Sequence, residues 1–325
     1  MKNHPYPSNS VFGIRSVSTG KSSAISRLRS LALASMGQVV LMMVFILTST
    51  VTAHAQSTPD AGLSNLTLAN FFTEGWDQNW AKRSNPDGAP DMALLRVSTN
   101  FLEREFRTDF YSQQDLNSAK NRTSNLADAL IAYGLDRRFM VSVTSNYQWI
   151  NSRVNNDMDE SNWALSTRFQ LIDIPGSSYA FNVKVTSPAK SLGNDLTTVN
   201  YNLAGWEDLT PYGLSRMGLY FSVGADNFVG PHAIGAKSSD TVYDISLAKT
   251  WTAPTATLGN FTTFAELFGT TDLSGAASGK TVVTLTPGIR TGIGHNQVLM
   301  FGVDLPVSHP RPYNYGPRLT YIINF

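Results

Sequence analysis

The chain has 325 residues and 42% hydrophobic content, yet only 15% of its residues are charged, against about 25% in an ordinary soluble domain. A mean hydropathy of −0.14 argues against a bundle of apolar membrane helices, although aromatic residues reach 11%. The formal net charge of +1 gives no basic excess for nucleic-acid binding, and the absence of cysteine excludes disulfides and an N-terminal lipidated cysteine.

Residues 1–55 have the composition of an export signal. They contain five basic residues and no acidic one, followed by a nine-residue apolar run at 39–47 and by small residues at Ala53 and Ala55. We predict a cleaved signal peptide over 1–55, cut before Gln56. The alternative is a membrane-anchoring helix, which the short apolar run disfavours because a span needs about 20 residues. Cleavage would leave 20 basic and 24 acidic residues, a net charge of −4.

Residues 56–92 are predicted to form an irregular or short-helical segment. Ser64 can cap a short helix over 66–72, and the Pro- and Gly-containing stretch 84–90 breaks any regular element. Two hypotheses stay open. The segment is either a periplasmic tether or a plug that enters a lumen and gates an apolar solute with four aromatic side chains: Phe71, Phe72, Trp76 and Trp80.

From residue 93 onward the chain alternates with a period of two, which is typical of half-buried β-strands. Twelve alternating runs can be counted, near 93–111, 123–135, 138–150, 161–173, 178–187, 197–207, 217–228, 241–252, 260–271, 279–292, 296–306 and 315–325. In the last run, Leu319, Tyr321, Ile323 and the terminal Phe325 share one side. Strands with one apolar, aromatic-rich face predict an all-β fold, a transmembrane antiparallel up-and-down β-barrel of about 12 strands over residues 93–325.

The connectors predict how this barrel sits in the bacterial outer membrane. Short turns at 136–137, 175–176 and 294–296 alternate with longer polar stretches such as 151–160, 187–197 and 230–240. Outer-membrane barrels have short periplasmic turns and longer external loops, so both termini are predicted to be periplasmic. The strand ending at Phe325 would then be presented to the barrel assembly machinery.

The first run contains four charges at positions expected to face lipid: Glu103, Glu105, Arg107 and Asp109. Because charge facing lipid at mid-depth costs a few kcal/mol, we predict that this part of the strand projects above the bilayer.

Three C-terminal motifs carry a family resemblance: Leu-Thr-Pro-Gly-Ile-Arg at 285–290, Gly-Val-Asp-Leu-Pro at 302–306, and Tyr-Gly-Pro-Arg at 315–318, with the terminal Phe325. With these motifs the chain resembles a family of outer-membrane transporters associated with the meta-cleavage pathway of phenol degradation. The resemblance covers about the last 45 residues. It implies a β-barrel that admits small, often aromatic, molecules and carries no catalytic residues.

Ten charged residues fall at predicted inward positions, although Phe264 and Phe268 share the parity of Glu266 and leave its face open. The ten predicted pore-lining residues are Arg96, Asp128, Arg168, Lys184, Asp226, Asp244, Glu266, Arg290, Asp304 and Arg318. Two interpretations apply to each of them. The charge either sets the selectivity of a pore or pairs with another charge to fill a narrow lumen, since an unpaired buried charge is costly.

Enzyme chemistry has little support in the sequence. Only His232, His295 and His309 survive signal cleavage, and all three lie in predicted connectors beside Pro or Gly. No ligands cluster at metal-binding spacing, and residues 288–294 lack the spacing of a dinucleotide loop. We therefore predict no enzyme activity, no metal and no cofactor.

The sequence predicts an outer-membrane channel for the passive passage of small, aromatic or hydrophobic, molecules. Its predicted partners are membrane lipid, the assembly machinery and the solute, with no nucleic acid, and the oligomeric state is left open. The alternative is a structural or adhesive surface barrel that binds a partner through its loops, notably 151–160. A soluble β-sandwich is disfavoured, because the outward Trp and Tyr positions would stay exposed.

Overall fold

The computed structural model describes residues 63–116, 122–151, 160–188, 196–230, 238–275, 278–294, 296–309 and 311–325. The predicted signal peptide and the long connectors that were expected to be external lie largely outside these residues. Within the described ranges, no helix is long and apolar enough to cross a membrane.

Twelve antiparallel strands form one closed barrel. They are β1 Arg104–Gln113, β2 Thr123–Gly134, β3 Phe139–Asn151, β4 Glu160–Ile174, β5 Ser177–Thr186, β6 Thr197–Asp208, β7 Met217–Val229, β8 Ser239–Thr250, β9 Gly259–Asp272, β10 Thr281–Gly294, β11 Gln297–Pro306 and β12 Gly316–Asn324. Each strand pairs with the next one, and β12 pairs back onto β1. The predicted all-β, twelve-stranded up-and-down barrel is confirmed.

Alternation places apolar side chains on the outside of the barrel. Val143 of β3 lies opposite Leu165 of β4, and the rings of Phe139 and Phe169 are 5.0 Å apart on the same face. Trp163 is more than half exposed there. Since closure leaves no unpaired strand edge, the surface meets both requirements of a strand structure in lipid: an apolar exterior and satisfied backbone groups. The protein therefore has the architecture of a bacterial outer-membrane barrel.

The two ends of the barrel differ, and we name them by their contents. The terminal mouth is the end at which β1 begins and β12 ends. It carries the connections 135–138, 175–176, 209–216 and 251–258, together with the end of β10 and the start of β11. The backbone N–H of Phe325 donates to the Arg104 carbonyl here at 3.0 Å, next to the seam between the first and last strands. The opposite end, the loop mouth, carries the connections that lie partly outside the described residues.

The strand predicted from residue 93 begins only at Arg104. Residues 89–103, which we call the inserted segment, run inside the barrel instead. The segment starts near the terminal mouth, where the Ala89 N–H donates to Asp208 at 3.1 Å, and it bends at residues 95–97. It then returns, so that the Glu103 carbonyl accepts a 2.7 Å bond from the N–H of Gly134. The segment thus enters and leaves through the same mouth.

The four charges expected above the bilayer are inside the barrel, so that prediction was wrong. Glu103 belongs to the inserted segment and is buried. In β1, Glu105 lies opposite Asn324 and Asp109 lies opposite Asp128, on the lumen-facing side of the neighbouring strands, and Arg107 shares that side. The inward placement removes the cost that a charge would pay against lipid.

The main hydrophobic cluster of the described residues lies inside the barrel. It joins the inserted segment to lumen-facing side chains of β6–β9, β11 and β12. Its members are Ala89, Met92, Ala93, Leu94, Leu95, Val97, Phe101, Trp206, Tyr220, Ala248, Phe264, Val298, Met300 and Ile322. Burying one large apolar side chain contributes roughly 1.5–3 kcal/mol. The insertion is therefore stabilised by packing as well as by the polar contacts described below.

Gly302 of β11 shows how closely the segment approaches the wall. A Cβ built on Gly302 would lie only 2.4 Å from the Leu95 Cδ1 atom. A larger residue at 302 would require the end of the Leu95 side chain to move, so the glycine permits this close contact.

Candidate functional site: the barrel lumen

The bend of the inserted segment is held by Glu266 of β9. The backbone N–H of Arg96 donates to both carboxylate oxygens at 3.1 and 3.2 Å, and the N–H of Val97 donates to Oε1 at 3.1 Å. Glu266 is completely buried, so its charge depends on these donors in place of water. Two adjacent N–H groups on one carboxylate fix the position of the bend.

The Arg96 side chain ends at a second buried carboxylate, Asp304 of β11, and its guanidinium lies over the Phe268 ring at 3.8 Å. Asp304 also accepts from Arg318 Nε at 2.9 Å and from the Thr286 hydroxyl at 2.6 Å. The exposure of the Asp304 side chain is zero. One fully buried anion therefore joins the segment to β10 and β12.

Two further ion pairs lie in the lumen. Arg168 Nη1 is 3.0 Å from Glu103 Oε2, and Arg107 Nε is 2.8 Å from Asp109 Oδ2. Arg107 Nη2 also donates to the Leu94 carbonyl at 3.4 Å. Each pair involves the inserted segment or the first strand that follows it.

The strand register places nine of the ten predicted pore-lining residues at lumen-facing positions, and the tenth, Arg96, lies in the inserted segment inside the barrel. Those on strands are Asp128, Arg168, Lys184, Asp226, Asp244, Glu266, Arg290, Asp304 and Arg318. The structure brings Arg96, Glu266, Asp304 and Arg318 together. Whether the set selects solutes stays a prediction.

The lumen contains two open spaces, and residues of the hydrophobic cluster contribute to the lining of both: Leu95 and Val97 to one, and Val298 to the other. The loop-side vestibule measures about 490 Å³, and residues Leu95 to Thr99 of the inserted segment form one part of its lining. The terminal-side vestibule measures about 410 Å³ and is lined by Arg290, Gly292 and neighbouring residues of β9–β12.

The candidate plug aromatics are not at the bend. Phe72 is 88% exposed, and Phe71 packs edge-on against Phe72 and Trp76 with ring centroids 5.1 and 5.5 Å apart. Trp80 donates from Nε1 to the Leu102 carbonyl at 3.2 Å and occupies the space beside Gly134. The segment that lies in the lumen is 89–103, of which the alternating pattern had assigned residues 93–103 to the barrel wall and residues 89–92 to the irregular segment before it.

Arg138 anchors residues 66–76 at the terminal mouth. Its fully buried guanidinium donates to the carbonyls of Thr67, Asn70, Glu74, Gln170 and Leu171 at 2.8–3.2 Å. It also donates to the Asn70 side chain at 2.8 Å. One side chain therefore ties the chain before the barrel to the end of β4.

We expect Arg138→Lys to loosen residues 66–76 while the barrel stays folded. Lysine offers three donors at one point, whereas the planar guanidinium offers five and reaches carbonyls on both sides. Amide hydrogen exchange over 66–76 should accelerate by about tenfold, the loss expected for roughly one charged hydrogen bond. The exposed Arg122, near the loop mouth, supplies the matched Arg122→Lys control. Equal exchange in both variants would contradict the anchoring role.

A second cluster at the same mouth supports the anchor. Asp173 of β4 accepts from Arg137 at 2.9 Å and from Arg83 at 3.2 Å, and the backbone of Leu66 pairs with that of Asp173 in both directions. The part of the chain that precedes the inserted segment is thus bound to the barrel through both side-chain and backbone contacts.

Among the described residues, no group of three or more His, Asp or Glu side chains is arranged to hold a metal ion.

No family model matches the chain, and no curated protein sequence matches it either. The resemblance to the phenol-degradation family therefore stays a prediction.

Solved structures similar to the chain are barrels of low identity. A KdgM porin has a TM-score of 0.47 and 11% identity, over 68% of this chain and 99% of the porin. An outer-membrane channel from Pseudomonas putida F1 has a TM-score of 0.49 and 14% identity, over 76% and 100%. The translocator domain of the autotransporter NalP from Neisseria meningitidis has a TM-score of 0.32 and 11% identity, over 68% and 87%. At these values the likeness carries no functional conclusion, and the strand pairing itself establishes the fold.

Proposed function

We propose that this protein is an outer-membrane channel for small molecules that the inserted segment closes and opens. The observation that carries the proposal is the position of the segment 89–103 inside the barrel, where it lines the loop-side vestibule and belongs to a hydrophobic cluster that reaches the lining of the terminal-side vestibule. A lipid-compatible exterior, a polar lumen and a removable obstruction are the parts that a gated pore needs. The terminal mouth would face the periplasm, and the strand ending at Phe325 would be read by the assembly machinery.

The solute is proposed to be small, because the loop-side vestibule of about 490 Å³ lies in the size range of small-molecule pockets. The family resemblance implies aromatic or hydrophobic solutes. Phe268 supplies one aromatic ring to this vestibule, but the Arg96 guanidinium is stacked on it. Most of the remaining lining is polar.

Excision of the obstruction tests the channel proposal. Because Trp80 already contacts the Leu102 carbonyl at 3.2 Å, residues 81–101 can be replaced by two glycines without separating the flanking chain. We expect solute entry into proteoliposomes to rise at least about tenfold over the intact chain, since a constriction that excludes water blocks a pore. Heat-modifiable gel migration controls for folding. A folded variant as impermeable as the intact chain would sink the proposal.

Opening should also depend on pH through Asp91 of the inserted segment. Burial raises the pKa of the Asp91 carboxyl from 3.8 to about 7. The Lys82 charge and the hydrogen bond from Asn100 oppose this rise, whereas the charges of Asp173 and Glu103 add to it. A raised pKa means that insertion is most stable with the carboxyl protonated and weakens as pH rises from about 4 to 7. Asp91 Oδ1 has no hydrogen-bond partner among the described residues.

We therefore expect solute flux to increase between pH 5 and pH 8, on the order of several-fold. The Asp91→Asn variant keeps the shape and the hydrogen bond from Asn100, which is 2.9 Å long, but cannot ionise. Its flux should vary less with pH than that of the parent protein. Identical pH profiles for the two proteins would show that Asp91 does not control insertion.

A further inference from the structure

We propose that the loop-side vestibule binds small carboxylates that carry hydroxyl groups, with Lys184 holding the carboxylate. The site deepens the proposed channel function, because it names the class of solute. Three observations support it: most charged residues that line the cavity are cations, Lys184 makes no ion pair within 4.0 Å among the described residues, and the wall beside Lys184 consists of amide and hydroxyl side chains.

Most charged residues that line the cavity are cations, and most of the carboxylates that pair with them lie outside the lining. Its charged lining residues are Arg96, Arg107, Arg168, Lys184 and a single acid, Asp226. The carboxylates that pair with the three arginines are Asp304, Asp109 and Glu103, none of which lines the cavity. Four of the five charged side chains that line the vestibule are therefore cations, and Lys184 is the one of these four that has no ion pair within 4.0 Å in the described part of the chain.

Lys184 differs from the three arginines. In the described part of the chain it makes no ion pair within 4.0 Å, whereas each arginine does. It projects from β5 into the lumen between Ser166 of β4 and Asn200 of β6. An ammonium group with three donors and no carboxylate within 4.0 Å among the described residues can receive a carboxylate from a ligand.

The wall beside Lys184 is a run of hydrogen-bonded amides. Asn182 donates to Asn202 at 2.9 Å, Asn202 donates to Asn200 at 2.8 Å, and Asn200 donates to Asp226 at 2.7 Å. Hydroxyl side chains extend this surface and also line the cavity: Ser142, Thr144, Ser166, Thr186, Thr198 and Ser222. Amides and hydroxyls both donate and accept, which matches a solute with several hydroxyl groups.

Binding of gluconate, glucose and benzoate can be compared to separate the contribution of the carboxylate to affinity from that of the hydroxyl groups. Gluconate carries both a carboxylate and hydroxyls, glucose lacks the carboxylate, and benzoate replaces the hydroxyls with an aromatic ring. Calorimetric titration of the full chain in detergent should show that gluconate binds more tightly than either of the others. Tighter binding of benzoate would overturn the proposal in favour of aromatic acids, and equal binding of gluconate and glucose would remove the role of the charge.

Variants then locate the carboxylate. Lys184→Gln should weaken gluconate binding about tenfold, as expected for the loss of one charge-assisted hydrogen bond, and leave glucose binding unchanged. Lys184→Arg keeps the charge and should retain most of the affinity. The exposed Lys280, on the β9–β10 connection, gives the matched Lys280→Gln control. An unchanged affinity in Lys184→Gln, or no binding of gluconate to the intact chain, would refute the site.

Equilibrium binding in detergent requires no passage across a membrane. Failure of the site is therefore distinguishable from failure of the channel: the excised variant can conduct although gluconate does not bind, and gluconate can bind although no variant conducts.

Discussion

Oxidation of a Leu95→Cys/Gly302→Cys double variant should close the channel, and a reductant should reopen it. The Cβ position of residue 302 lies 2.4 Å from the end of the Leu95 side chain, so two cysteines here can approach the roughly 3.5–4.5 Å between Cβ atoms that a disulfide needs. The bond would join the bend of the inserted segment to β11. Solute flux into proteoliposomes should fall by at least about tenfold on oxidation, because a fixed segment cannot leave the lumen.

The chain offers an unusually clean background for this experiment. It contains no cysteine, so the introduced pair forms the only disulfide within one molecule. Each single variant supplies a control that should not respond to oxidant. Should oxidised and reduced double variants conduct equally, the inserted segment does not gate the pore, even if the barrel itself is permeable.

The largest effect of a single substitution is expected at Asp304. Asp304→Asn leaves the guanidinium groups of Arg96 and Arg318 facing a neutral amide in a site with no exposure. Breaking a buried ion pair by removing one partner costs about 3–5 kcal/mol, since the remaining charge is uncompensated. We expect the bend of the segment to be released, the midpoint of urea unfolding in detergent to fall, and solute flux to rise.

Asp128 provides the matched control for this substitution. It also faces the lumen, opposite Asp109 and Asn146, but makes no ion pair within 4.0 Å among the described residues. Asp128→Asn should therefore leave stability and flux almost unchanged. If both aspartate variants lose the same stability, the effect comes from the general charge of the lumen and not from the contacts of Asp304.

The barrel wall was predictable because lipid and lumen impose opposite requirements on alternate residues. In β3, for example, Val141 and Val143 face lipid while Ser142 and Thr144 face the lumen, and a slip of one residue would reverse both faces. The inward positions of the charged residues follow from the same rule. The placement of Phe325 beside the seam of β1 and β12 follows from an even number of strands.

The inserted segment could not be recognised from its own residues. Its apolar side chains, such as Leu94 and Val97, resemble the start of a strand, and they shifted the predicted faces of Glu105 and Asp109 by one residue. The available signal lay elsewhere, in apolar residues at lumen-facing positions. Phe264, Met300 and Ile322 share parity with polar neighbours, and an apolar lumen wall needs something to cover it.

The path of the inserted segment has a mechanical consequence. Both of its arms pass through the terminal mouth, so it can withdraw without being threaded past any strand and without breaking any hydrogen bond between neighbouring strands. A pull on residues 63–76 would load the contacts of Arg138 first and those of the bend at Arg96 afterwards, while the strand ladder stays unloaded. A force that pulls the inserted segment out of the lumen can therefore leave the strands of the barrel paired.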